Sequence, residues 1–178
     1  LVSGGFSLRH VAPTEETRLH AAHSAASECM PASVRAEAPG WYVFSSNLLV
    51  HRAVLDQVAF DDEFKGWGWE DVDWGLRVAD TFEVYHIDNP ATHLGLDTDQ
   101  ALIAKYAGSG ANFARLIERH PDQMAASRLY RLARRWRTLP GRALIERGAC
   151  QIAQIKRAPM RIRVFALKLF RAAVYGGE

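Results

Sequence analysis

The chain has 178 residues, 48% of them hydrophobic, enough to bury one substantial core or one core plus an appended segment. Cys29 and Cys150 are too few and too isolated for a disulfide scaffold or a zinc cluster, which points to a reducing compartment. No uncharged apolar run reaches the roughly 18 residues needed to span a bilayer, and no signal peptide is recognisable. The net charge of +2 conceals a division: residues 1–127 carry 9 basic and 18 acidic side chains, a balance of −9, whereas residues 128–178 carry 13 and 2, a balance of +11.

In chain order, "LVSGGFSLR" reads as a strand already under way at Leu1, so the sequence is expected to be a piece of a longer protein. Pro13 and Thr14 with Glu15 and Glu16 predict a helix start, because acids in the first turn complement the helix dipole. Leu19, Ala22, Ala26 and Cys29 then recur at helical spacing. "MPASVRAEAPGW" is a loop punctuated by Pro31, Pro39 and Gly40. "WYVFSSNLLVHR" places strand formers on both sides of Ser45, Ser46 and Asn47, "RAVLDQV" is a short helix, and "AFDDEF" a turn. A helix follows from Glu70, with Val72, Leu76 and Ala79 on one face and Arg77 set to pair with Asp73 four residues before it. "FEVYHI" alternates as a strand.

"DTDQALIAKYAGSGANFARLIERHP" predicts a helix begun by Asp97 and Gln100 at capping-box spacing, weakened in its middle by Gly108 and Gly110, and stopped by Pro121. Helical pattern dominates from Asp122: Leu129, Leu132 and Trp136, a Pro140-Gly141 turn, a helix to about Arg157, and after Pro159 a last helix bearing Ile162, Phe165, Leu169 and Phe170 among Arg161, Arg163, Lys168 and Arg171.

The stretch "GWGWEDVDWG", residues 66–75, holds three tryptophans, three glycines and three acids. A packed core would take Trp67, Trp69 and Trp74 but exclude unpaired Glu70, Asp71 and Asp73, while a solvated loop would accept the acids and avoid the indoles. Aromatic plates beside carboxylates, on a backbone opened by Gly66 and Gly68, suit a cleft for something polar with flat apolar faces, such as a sugar ring.

"SSNLLVHRAVLDQVAFDDEFKGWGWEDVDWGLRV", followed by "ATHLG" and "GANFARLIERHP", resembles the C-terminal half of GT-A type glycosyltransferases. The likeness is to bacterial family-2 enzymes and to the C-terminal region shared with galactosyl- and N-acetylgalactosaminyltransferases, and it covers roughly Asn47 to Pro121. The resemblance implies an α/β fold. Residues 1–121 would be the acceptor-side, metal-side part of a GT-A domain, and residues 122–178 an α-helical basic extension.

It further implies transfer of a sugar from a nucleotide donor, UDP-linked, to a glycan hydroxyl with inversion. Asp71 matches the general base, and Glu70 the acid that hydrogen-bonds substrate hydroxyls. Trp67, Gly68, Trp69 and the strand asparagine, Asn47, match the substrate-binding positions. His93 matches the histidine that completes coordination of Mn²⁺ or Mg²⁺, whose other ligands belong to a nucleotide-binding half that these 178 residues do not contain. Val58-Ala59 replaces the family's glycine pair before the turn, and no βαβ nucleotide-binding unit precedes the motif. Asp71-Val-Asp73 and Asp97-Thr-Asp99 fit an Asp-x-Asp pattern but lie in the base segment and at a helix cap.

His86 and His120 are expected in structural roles, His10, His20 and His23 lack metal-site spacing, and Trp74 and Leu76 belong to a core. The basic segment 128–178 reads as an ordinary solvated surface or as a peripheral membrane contact, since Arg-rich helices with Phe and Leu opposite bind anionic headgroups. A nucleic-acid partner is not expected, because no binding module accompanies the charge. The expectation is thus a cytoplasmic enzyme of glycan biosynthesis, peripheral on the inner membrane face, acting on a glycan or lipid-linked acceptor. Two alternatives stand beside it: a non-catalytic carbohydrate-binding or membrane-docking module, and a retaining transferase.

Overall fold

Gly4 and Gly5 cut the opening strand in two, leaving β1 (Val2–Ser3) and β2 (Phe6–Ser7). The computed structural model describes residues 1–177. The chain is mixed α/β, 58% helical, with two small sheets. It forms two compact units, each made of separated segments.

The first unit takes Leu1–Ala12, His23–Lys65 and Trp69–Leu96. It contains the end of α1 (Arg18–Ser27), α2 (Ala32–Arg35), β3 (Leu48–Leu49), α3 (Arg52–Gln57), α4 (Glu70–Ala79), β4 (Tyr85–His86) and β5 (Ala91–Thr92), with single 3₁₀ turns at Pro39–Tyr42 and Ser45–Asn47. β1 lies central in a three-stranded sheet, antiparallel to β3 with Val2 opposite Leu49 and parallel to β4 with Val2 opposite Tyr85. β2 pairs in parallel with β5. The six-residue strand expected over "FEVYHI" shrinks to Tyr85–His86, because β1 offers only two residues for it to pair with.

The sheet is tied by Arg35, 1% exposed at the end of α2. Its guanidinium donates to the carbonyls of Ser3, Gly4 and Ile87 at 3.2, 3.1 and 2.8 Å, to that of Met30 at 3.1 Å, and lies 2.7 Å from His86 Nδ1. A buried cation is tolerable only when its donors are satisfied in this way. Gly5, at φ +77°, gives the guanidinium room: a Cβ there would stand 2.6 Å from Arg35 Cζ.

α4 packs on the Pro39–Tyr42 turn, where the backbones of Gly40 and Gly75 meet too closely for a side chain on either. Trp74, fully buried with Val43, Val54 and Val78, donates its Nε1–H to Val58 O at 2.7 Å and stacks on Phe60 at 4.5 Å.

The second unit takes Pro13–Ala22, Gly66–Gly68 and the chain from Asp97 onward. Its helices are α5 (Asp99–Gly108), α6 (Gly110–Arg119), α7 (Pro121–Ala126), α8 (Arg128–Arg137), α9 (Arg142–Gln154) and α10 (Met160–Tyr175). The expected helix over 97–120 is broken at Ser109, between the two glycines that weaken it, and Pro121 opens α7 where its missing N–H costs nothing. Thr98 Oγ1 caps α5 by accepting from Ala101 N; Asp97, expected in that role, is held instead by Lys105 Nζ at 2.7 Å.

The core of this unit joins Leu19, Leu102, Ile103 and Tyr106 to Ala149, Ala153, Leu167 and Phe170. The expected boundary at 121/122 therefore lies inside it. Beneath the core runs a buried ion pair between Asp99 and Arg163, whose Nε also donates to Ala153 O at 2.9 Å. No helix among the described residues is long and apolar enough to cross a membrane.

Candidate active site

Between the "AFDDEF" turn and α4 the backbone is left-handed three times in four residues: Gly66 at φ +77°, Gly68 at +97° and Trp69 at +79°. For the glycines this is ordinary; for a bulky L-residue such as Trp69 it is an outlier, and strain of this kind gathers at functional sites. Trp69 immediately precedes α4 and offers no side-chain cap, so Glu70, Asp71 and Asp73 supply negative charge to the exposed N–H groups of the first turn.

The three acids divide their roles. Asp73 is fully buried and takes both Nε and Nη2 of Arg77 at 2.9 Å, while Arg77 Nη1 donates to Ala59 O; this pair anchors the helix, as its spacing predicts. Asp71 is half-buried in the first unit, and its Oδ2 accepts from Ser45 N at 3.1 Å and Ser45 Oγ at 3.2 Å. Burial pushes its carboxyl above the ordinary carboxylate range, against the lowering effect of the two Ser45 hydrogen bonds. Its Oδ1 makes no hydrogen bond among the described residues. Glu70 places Oε2 out of solvent with no hydrogen-bond partner among the described residues.

Trp69, Glu70 and Asp71 belong to the first unit; Trp67 and Gly68 belong to the second. Trp67 is 40% exposed, meets the edge of Tyr106 at 5.2 Å and has Lys105 Nζ 5.6 Å from its ring centre. Gly68 presents its carbonyl to Asn112 Nδ2 at 2.9 Å. Asn47 Nδ2 donates to Gly5 O at 2.7 Å and Asn89 O at 3.0 Å, bracing the segment after β1. His93, just after β5, donates its backbone N–H to Ser7 O and stacks on Phe6 at 5.3 Å.

Two residues were not legible as site candidates. Ser45 stands 26 positions before Asp71, and only the packing of the Ser45–Asn47 turn brings them together. Glu28 offers a carboxylate oxygen within 4.8 Å of a ring nitrogen of His93, again across a long sequence separation. His86 takes the structural role expected of it: Nε2 lies 2.9 Å from Pro39 O and Nδ1 faces Arg35, so the ring is neutral with its proton on Nε2, and burial lowers its pKa.

The site thus defines a mixed α/β chain with a desolvated, serine-held carboxyl group at a strained helix start. Compared with known protein families, curated proteins and solved structures, the chain finds no match among any of the three.

Proposed function

We propose that the chain is the acceptor-side half of an inverting GT-A type glycosyltransferase, with Asp71 as general base. One observation carries the reading: a carboxyl group in the first turn of α4, raised in pKa by burial, fixed through one oxygen by Ser45 and with the other oxygen unused. A sugar hydroxyl is a poor nucleophile. A carboxylate within hydrogen-bond reach removes its proton as the oxygen attacks the anomeric carbon, and a raised pKa makes that carboxylate a stronger acceptor near neutral pH. The bond to the nucleoside diphosphate breaks on the opposite face, which inverts the centre.

Glu70, beside the base in the first turn of α4, is the acid that hydrogen-bonds a second substrate hydroxyl. Trp69 is held in the left-handed region directly before the base, a strain of the kind that gathers at functional sites. In the first unit Glu28 and His93 provide an oxygen and a nitrogen within 4.8 Å, a donor set that suits Mn²⁺ better than the all-oxygen preference of Mg²⁺. A divalent ion bound there supplies charge neutralisation for the leaving diphosphate. The donor is UDP-linked and the acceptor a glycan or lipid-linked glycan.

The test is Asp71→Asn in the complete protein, assayed by UDP release from a panel of UDP-sugars with glycan acceptors. Turnover should fall by roughly 10² to 10⁴, the usual contribution of a general base, with UDP-sugar affinity unchanged. Retained turnover removes Asp71 from the chemistry, and an NMR spectrum of the product showing retention of the anomer removes the inverting mechanism.

A membrane-docking role is favoured by a separate observation. α10 exposes Ile162 (49%) and Phe165 (61%) beside the cations Arg161 and Lys168. That mixture of apolar and basic groups suits an anionic headgroup layer, with or without catalysis elsewhere in the chain.

A further inference from the structure

The second unit carries a groove of about 780 Å³, bordered by α6, α8 and the end of α10. Its polar lining is made by Arg131, Arg134, Arg135 and Arg137 from α8, Tyr130 beside them, and Glu118 from α6. We propose that this groove binds an organic diphosphate.

The first argument is charge without counter-charge. Arg134, Arg135 and Arg137 make no hydrogen bond or ion pair among the described residues, and Arg131 makes one, to Ala126 O at 3.2 Å. Four arginines line the groove against one acidic residue, Glu118. One or two cations near the C-terminus of a helix complement its dipole; four within seven positions repel one another across the i, i+3 and i, i+4 spacings. An anion seated among them relieves that repulsion.

The second argument is the type of cation. All four are arginine, whose planar fork meets phosphate oxygens in pairs, and four forks exceed what a single phosphate accepts. The volume lies within the range of about 300–1,000 Å³ typical of small-molecule sites, leaving space for an organic group beyond the anion.

The third argument is rigidity. Tyr175, on the groove wall, is fixed by its hydroxyl 2.8 Å from Ser109 Oγ and by stacking on Phe113 at 4.4 Å. The adjoining Gly176 lies so close to α8 that a Cβ would stand 2.6 Å from Ala133 O. A wall that does not need ordering on binding loses less entropy to its ligand.

This inference does not depend on Asp71, and its test leaves that residue unchanged. Inorganic pyrophosphate is titrated calorimetrically into the full chain, with inorganic phosphate, UDP and farnesyl diphosphate in parallel, and with phosphatidylserine vesicles as a surface control. Pyrophosphate should bind more tightly than phosphate. The Arg134→Gln/Arg135→Gln double variant, altered only at exposed positions, should lose on the order of a hundredfold in affinity at roughly tenfold per charge-assisted contact. Glu118→Gln should tighten binding.

UDP or farnesyl diphosphate binding more tightly than pyrophosphate supports the proposal and identifies the organic part as nucleoside or lipid. No pyrophosphate binding, equal binding by the double variant, or binding to vesicles alone overturns it. Should the double variant fail to fold by circular dichroism, an unchanged affinity in Glu118→Gln overturns it independently.

Discussion

The carboxyl group of Asp71 titrates above its ordinary 3.8 because burial outweighs the two hydrogen bonds from Ser45. A group raised in the folded state contributes stability below its unfolded pKa and loses that contribution as pH rises through the folded value, so above that value the ionised Asp71 is a cost to the fold. Asp71→Asn, whose amide oxygen can still accept from Ser45, should therefore leave the urea unfolding midpoint unchanged or raise it; a large fall would mark Asp71 as structural. Ser45→Ala removes a bond that holds the carboxyl pKa down, so on the proposed base role it should move the acidic limb of the kcat/KM profile to higher pH. His86 shows the opposite sign. Its pKa is lowered from 6.5 chiefly by burial, so its contribution is present above that value and lost as pH falls through the folded one. The difference in unfolding free energy between the wild-type chain and His86→Gln should shrink as pH falls below about 6.5, and a pH-independent difference would contradict the Arg35–His86 arrangement.

At the scale of elements, the Asp99–Arg163 pair links α5 to α10, and burial raises the Asp99 pKa despite the arginine beside it. Arg163→Met leaves that carboxylate buried and uncompensated, a loss of about 3–5 kcal/mol, while the double variant with Asp99→Asn should recover most of it. Gly176→Ala forces a methyl group against Ala133 O and should cost about 1–3 kcal/mol by thermal denaturation. Several helices were legible because their signals are local. Asp73 and Arg77 sit one turn apart, Gly108 and Gly110 bracket a break, and Pro121 and Pro159 directly precede or open new helices. The strands were not, because their length depends on a partner: alternation in "FEVYHI" says nothing about β1 ending at Ser3. α1 misled differently. Leu19 is buried as expected, but the buried positions that follow include His20, His23 and Ser24, while Ala26 is exposed, and no apolar periodicity reports polar burial. The acids of "GWGWEDVDWG" stand out from their own neighbours, and the family resemblance is what points to Asp71 among them. Ser45 and Glu28 do not stand out, since each meets its partner only through tertiary packing.

For the whole molecule, the balance of +11 over residues 128–178 brings the chain toward anionic surfaces at low salt. Sedimentation with phosphatidylserine vesicles should weaken as salt rises. Phe165→Ser should weaken it further with the charge unchanged; an undiminished pellet would leave α10 without a membrane role. The helices that supply this charge are not a detachable tail. Ala149, Ala153, Leu167 and Phe170 share one core with Leu102, Ile103 and Tyr106, so the C-terminal helices complete an interior begun before residue 110. A protease nicking the exposed 138–141 turn would break one peptide bond and release nothing: the two pieces should elute as one species from a sizing column and part only in denaturant.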